Sequence, residues 1–215
     1  YAVEEYCFTD RSAEWLPHAE TEFRPQYPAL RTALLDVSRP LGSQAVATDR
    51  YDVAIAANVF WTTANVREAL RNTKAVLKNG GVLLLDEMST WSLFDHVSLG
   101  LLEEYWQYED AAVRQCGSPV VAHERWREIL AMEGFECTVF PAAEADRAGR
   151  QVLAAVSDGW ARQQVVNVTE ATQDRREAPQ PVATARVPAE AAEQRTSGYA
   201  RQVVAAKLAD ALRMN

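Results

Sequence analysis

Short apolar runs and amphipathic stretches alternate along residues 1–160. Tyr6-Cys7-Phe8-Thr9 is β-prone and ends at Asp10, and Ala33-Leu34-Leu35 ends at Asp36. Tyr51 to Ala57 ends at Asn58, and Val82 to Leu85 runs into Asp86 and Glu87. Between them the period changes from two to about 3.6. Arg11 to Phe23 predicts a helix with Ser12 as its cap and Trp15, Ala19 and Phe23 on one face, stopped by Pro25 and Pro28. Val66 to Leu77 predicts a second helix, with Val66, Leu70, Thr73 and Leu77 on its apolar stripe and Asn79-Gly80-Gly81 as its stop. Leu93 to Tyr108, rich in aromatics, and Ala122 to Met132, closed by Gly134, predict two more. Phe135 to Phe140 and Gln151 to Val156 are β-prone and predict an antiparallel edge.

Three of the predicted strands are continuous apolar runs, the pattern of strands buried on both faces. Strands alternating with helices therefore predict an α/β fold, a mostly parallel sheet with helices on both faces. The pattern fails after residue 162. Residues 163–196 are Glu, Gln, Thr, Ala, Arg and Pro, with Pro179, Pro181 and Pro188, and predict a flexible linker. Residues 197–215 carry a further amphipathic helix, with Val203, Leu208 and Leu212 set against Lys207, Asp210 and Arg213.

Composition narrows the function classes. Lys+Arg number 22 and Asp+Glu 30 in 215 residues, a net charge of −8, which is the wrong sign for a nucleic-acid surface. No apolar run approaches the roughly 18 residues of a membrane span. The first residues, Tyr1 to Glu5, have neither the positive n-region nor the apolar h-region of a signal peptide. Cys7, Cys116 and Cys137 form no disulfide framework, so the expected compartment is a reducing cytoplasm. His18, His96 and His123 are too dispersed for a metal cluster.

Candidate chemistry lies at the strand ends. In an open α/β sheet, ligands bind beyond the carboxyl ends of the strands. Asp10, Asp36, Asn58 and Glu87 stand there, and carboxylates at such positions accept from ribose hydroxyls or an adenine amine. An acid after a strand also caps the next helix, and for Asp10 that reading stands beside the binding one. The chain contains neither a GxGxxG loop after a first strand nor a defensible Ser-His-Asp or Cys-His arrangement.

Six segments, in order and spacing, resemble the C-methyltransferase domains of modular polyketide synthases. Tyr6-Cys7-Phe8-Thr9-Asp10-Arg11-Ser12 is similar to that family's "YxFTDxS", and Leu34-Leu35-Asp36 to its next acid. Tyr51 to Val59 resembles "YDvviaaNV", and Leu77 to Glu87 resembles "LkpGGxLLLxE". Leu99 to Trp106 is similar to "fGLLEGWW". Cys116-Gly117-Ser118-Pro119 with Trp126 to Phe135 resembles "GSPxLsxxxWxxxLxxxGF", which suits synthases of the trans-acyltransferase type.

The resemblance covers residues 6–160 and implies a Rossmann-like class I methyltransferase sheet. It implies S-adenosylmethionine as cofactor in an active domain, with Asp10 on the ribose, Asp36 near the adenine and Asn58 beside them. It implies methyl transfer to the α-carbon of a β-ketoacyl group on an acyl carrier protein. The carrier and the neighbouring synthase domains are the implied partners, and the helix in 197–215 reads as the opening of such a carrier.

Two departures set this chain apart from the family. A histidine supported by a glutamate removes the α-proton in "NVLHAT" and "LLLxE"; here Trp61 stands at the histidine position, and Glu87 remains. Indole offers only a donor, not a base. The family's first strand and glycine loop also have no counterpart before Tyr6. Together these predict a degenerate, non-catalytic or impaired domain that acts as a structural or carrier-contacting module, with the cofactor lost altogether in the extreme case. The alternative expectation is an active enzyme. A sheet lacking that strand has a bare edge, through which self-association is expected.

Overall fold

The computed structural model describes residues 3–142 and 149–161; the expected linker over 163–196 and the helix in 197–215 lie outside them. Six strands form two sheets. β1 (Tyr6–Asp10) and β2 (Leu30–Leu34) pair in parallel, Tyr6 opposite Leu30 and Asp10 opposite Leu34. The second sheet has the order β3 (Tyr51–Ala57), β4 (Leu77–Met88), β6 (Arg150–Ser157), β5 (Phe135–Val139). β3 and β4 are parallel, and β6 runs against both of its neighbours, so β3, β4 and β5 share one direction. The α/β class and the antiparallel edge are thus present, while the expected single sheet is divided in two, with two of the four strand pairings parallel.

The two sheets meet through a carboxylate. Glu5 accepts from the Tyr51 hydroxyl at 2.8 Å and from Arg50 at 2.7 Å, with Arg31 at 3.4 Å. Those bonds hold the Glu5 carboxyl below its usual range, Tyr51 first and Arg50 second. They also set the amino end of β1 beside that of β3, so the carboxyl ends of both parallel pairs face one way. Among the described residues no strand pairs with the outer edge of β1 or of β3.

Side-chain parity assigns the layers. Leu83, Leu85, Leu153 and Ala155 face a core shared with α2 (Val66–Val76) and α4 (His123–Met132), filled by Leu70, Trp126 and Leu130. Ala33 of β2 packs against that same core. Thr32, its neighbour on the other face, bonds Glu20 of α1 (Leu16–Glu22) at 2.8 Å, so α1 covers the opposite side. Behind β3 the cover is thin, and Ile55 is 65% exposed.

β4 starts at Leu77, directly after the helix Val66–Val76, so Asn79-Gly80-Gly81 lies within the strand rather than past the end of the helix. Three further element boundaries differ from the sequence reading for a local reason. The first helix starts at Leu16 rather than Arg11, because Asp10 accepts from the Ser12 backbone N–H and turns the chain there. Of its expected stripe only Ala19 is buried; Trp15 and Phe23 are exposed. β2 begins at Leu30 and ends before Asp36, whose backbone is bonded at both N–H and C=O by the Gln44 side chain. The expected helix over Leu93 to Tyr108 is α3 (Leu93–Ser98) followed by 3₁₀ turns at Leu99–Leu101 and Glu103–Trp106, because the Gly100 carbonyl accepts from the Trp106 indole at 2.8 Å rather than from a helical N–H.

A buried lysine joins α2 to the end of α4. Lys74 donates to the carbonyls of Glu133 at 2.6 Å and Gly134 at 2.8 Å and pairs with Asp158, while Arg67 and Arg71 bond the buried Glu133 carboxylate. Gly134 turns the chain there with φ 76°, and a Cβ on it would overlap the Asp158 carboxylate. Gly134→Ala is expected to lower unfolding stability by about 2 kcal/mol or more, the left-handed cost plus displacement of a buried ion pair. Urea unfolding measures it, and a loss under about 0.5 kcal/mol refutes the tight fit.

Candidate functional site

The carboxyl edge of the sheets gathers every strand-end residue singled out from the sequence. Asp10 and Asp36 close adjacent parallel strands and are half-buried. Each uses one oxygen on its own loop, Asp10 accepting from Ser12 N–H at 2.7 Å and Asp36 from Ser38 N–H at 2.9 Å. Asp10 thus closes an Asx turn and caps no helix, and neither does Ser12: the N-cap of α1 is Trp15, without a side-chain bond. Among the described residues no hydrogen bond reaches the second oxygen of either carboxylate, which can accept from a hydroxyl or an amine.

Asn58 follows β3 with φ 54°, a left-handed conformation that asparagine adopts more readily than most residues. Its N–H donates to the Asp86 carbonyl at 2.8 Å, and its Oδ1 accepts from Arg150 Nη1 at 2.7 Å. Arg150 also bonds the Asp86 carboxylate at 2.7 Å. Sequence reasoning missed Arg150. Asn58 and Arg150 lie 92 positions apart, and only the antiparallel register that sets Met88 opposite Arg150 brings the guanidinium to this edge.

Glu87 is 2% exposed and sits under the 3₁₀ turn Phe60–Thr62. One carboxylate oxygen accepts from both Val59 N–H at 2.7 Å and Phe60 N–H at 2.8 Å. Burial pushes its pKa up to about 7, against the pull of those two amides. The carboxylate thus supports the backbone that carries Trp61. Phe60 fixes the same turn from the core side, its ring buried edge-on against Trp126 at 5.5 Å. Trp61 then faces outward into a cleft of about 540 Å³, walled by Trp61, Met88 and Leu99 with Asn58, Asp95 and Arg150 among its polar groups.

His96, the other imidazole near this region, is engaged at both nitrogens. Nε2 lies 3.2 Å from the Gly117 carbonyl and Nδ1 3.2 Å from the Tyr105 hydroxyl. A carbonyl only accepts, so the partners assign the proton to Nε2, and Nδ1 accepts from Tyr105. The ring is further packed by Trp91 at 4.5 Å and Trp106 at 5.8 Å. Among the described residues no group of three His, Cys, Asp or Glu side chains could hold a metal ion, and no helix is long and apolar enough to cross a membrane.

Comparison with known proteins identifies the family. A family model described as a methyltransferase domain matches residues 2–83. The chain is 47% identical over 166 residues to polyketide synthase PksM of Bacillus subtilis (strain 168), a match spanning 77% of this chain and 4% of that protein. Among solved structures it resembles the DszA carbon methyltransferase at 33% identity and TM-score 0.68, covering 74% of this chain and 41% of that one. It also resembles the trans-methyltransferase CalH, solved in complex with SAH, at 26% identity and TM-score 0.59, covering 71% of this chain and 43% of that one.

The chain belongs to the methyltransferase domains of polyketide synthases. It spans under half of the carbon methyltransferase structure it resembles and a small fraction of the synthase. The methyltransferase sheet explains why the acids cluster: parallel strands deliver their carboxyl ends to one edge. For a nucleoside cofactor the residues present fit at one end, since Asp10 and Asp36 are adjacent, half-buried acceptors.

The Glu87 environment makes a pH prediction. The folded carboxyl keeps its proton up to about pH 7, whereas the unfolded one releases it near 4.5. Between these values the native state holds the extra proton, so this group lowers stability as pH rises from about 4.5 to 7. Glu87→Gln keeps an oxygen for the two amides and removes the titration. Its stability, relative to the parent, is expected to rise across that window, by an amount on the order of 3 kcal/mol. Urea unfolding at several pH values measures the difference, and a pH-independent difference refutes the assignment.

Proposed function

We propose that this domain is a C-methyltransferase-type module whose own methyl transfer is impaired, and which acts mainly by contacting a carrier protein and its neighbouring synthase domains. One observation carries the reading. The cleft is walled by the indole of Trp61 at the position where the family's imidazole removes a proton, and the Glu87 carboxylate below it is engaged with backbone amides. General-base catalysis is worth ~10²–10⁴ in rate, and indole cannot supply it.

Asp10 and Asp36 are the groups that would hold S-adenosylmethionine, through the ribose and the adenine, with Asn58 toward its reactive side. Bound there, the cofactor supplies an electrophilic methyl group. The chain's own contribution is to accept hydroxyl and amine protons at Asp10 and Asp36. A retained pair of acceptors is the observation that favours the second reading, an active transferase acting on a carrier-bound β-ketoacyl group.

Methyl transfer from S-adenosylmethionine to an acetoacetyl carrier protein tests the choice. The parent is expected to be slow, and Trp61→His to be faster by about 10²-fold or more. Equal rates for the two overturn the impaired reading. Calorimetric titration with S-adenosylhomocysteine is the companion measurement: micromolar binding supports Asp10 and Asp36 as a working nucleoside site, and no heat at high micromolar ligand overturns that assignment. The free edges of β1 and β3 support a further expectation, that the chain self-associates. Its elution in size-exclusion chromatography is expected to move toward a dimer as concentration rises, and a concentration-independent monomer overturns it.

A further inference from the structure

The cleft beside Trp61 holds a cation, Arg150, that the family resemblance leaves unassigned, next to Asn58, which it places by the cofactor. The Arg150 guanidinium enters it held at two points, Nη1 on Asn58 Oδ1 and Nη2 on the Asp86 carboxylate, each at 2.7 Å. Two anchors on a planar fork fix its orientation. The side chain is still about one-third exposed, and a guanidinium carries five N–H donors, so donors remain for a ligand. Asn58 adds to them. With its Oδ1 occupied by Arg150, what Asn58 offers the cleft is its amide NH₂.

The acids nearby do not cancel this set. Asp86 is the partner of Arg150, and Asp95 accepts from the Ser92 N–H and hydroxyl in the capping box of α3. The same cleft carries the apolar side chains of Trp61, Met88 and Leu99, Met88 directly beside Arg150 across the β4–β6 ladder. Fixed donors next to apolar side chains suit a short acyl chain bearing an oxygen acceptor beyond its thioester.

We infer that Arg150, positioned by Asn58 and Asp86, determines specificity in this cleft by donating to the β-carbonyl oxygen of a 3-oxoacyl thioester and selecting it over acyl groups that lack that oxygen. The inference deepens the reading of the cleft as the acyl site and rests on it. A carbonyl accepts without returning a proton, and an enolate oxygen accepts more strongly, so a fixed cation favours a 1,3-dicarbonyl over its saturated analogue. A pocket built to bond one oxygen rejects the analogue without it because its own donors are then left unpaired.

The test uses the intact chain with acetoacetyl and butyryl pantetheine thioesters, their affinities measured by ligand-observed NMR. The parent is expected to bind acetoacetyl about ten-fold tighter than butyryl. Arg150→Met is expected to bring acetoacetyl to the butyryl level and to leave butyryl unchanged, since the apolar wall is intact. Asp86→Asn, which weakens one of the two anchors on Arg150, is expected to reduce the preference, and it tests the inference should Arg150→Met not fold: a preference unchanged by Asp86→Asn then overturns it. A preference that survives Arg150→Met overturns the inference, as does its absence in the parent. S-adenosylhomocysteine affinity, measured on the same samples, separates the two levels. A parent that binds it but shows no acyl preference removes only the role of Arg150. A parent that binds neither it nor any acyl thioester removes the methyltransferase-type reading of the site as well.

Discussion

A buried carboxylate under a backbone turn organises the functional edge. Glu87 stands near the end of a central strand, 2% exposed, and two consecutive amide N–H groups bond its carboxyl group there. That arrangement fixes where the chain goes after β3. Phe60 is driven into the core against Trp126, so the next residue, Trp61, is turned to the cleft. The loop beyond is held by Arg114, which pairs with Asp110 and bonds the Thr63 carbonyl at 2.6 Å. Asp110 in turn accepts from Val66 N–H at the first turn of α2, so the helix start and the cleft floor form one unit.

The rest of the sheet depends on a second carboxylate at the opposite edge. β1 and β3 share no ladder among the described residues, yet their amino ends are joined through Glu5, Arg50 and Tyr51. Because the joint is at one end, it fixes direction without closing the space between the strands. The outcome is two parallel pairs that present Asp10, Asp36, Asn58 and Glu87 on one side. The α2–α4 core, into which Ala33 of the first sheet and Leu35 just beyond it also pack, supplies the remaining connection.

What the sequence made legible follows from which forces act locally. Apolar runs ending in a polar residue identified four strands and, with them, four of the residues at the edge, because strand direction alone carries their ends to one side. The role of Glu87 was not legible as it stands in the structure. Its partners are amides 27 and 28 positions away, and an amide has no sequence signature. Arg150 was invisible for the same reason, since its meaning depends on an antiparallel register. Helix ends were misjudged where a side chain outcompeted the helical ladder, Asp10 for the Ser12 amide and the Trp106 indole for the Gly100 carbonyl. His96, one of the three dispersed histidines, is accounted for within the fold by its two partners and the aromatic rings packed around it.

The edge is divided by hydrogen-bonding sense. At the β1–β2 end the exposed capacity is acceptor: Asp10 and Asp36 each commit one oxygen to a backbone N–H of their own loop. At the β3–β6 end it is donor: Arg150 and the Asn58 amide, with Asp86 and Glu87 already engaged. A nucleoside brings hydroxyl and amine donors and suits the first end, whereas an acyl thioester brings carbonyl acceptors and suits the second. Trp61 stands at the donor end, and under the proposed impairment it would leave both sets of groups in place and withhold only a proton acceptor. Such a separation would let a domain of this kind keep the binding character of a methyltransferase while losing its rate, because the strand-end groups are assembled by the fold itself, whereas base catalysis is concentrated in one side chain.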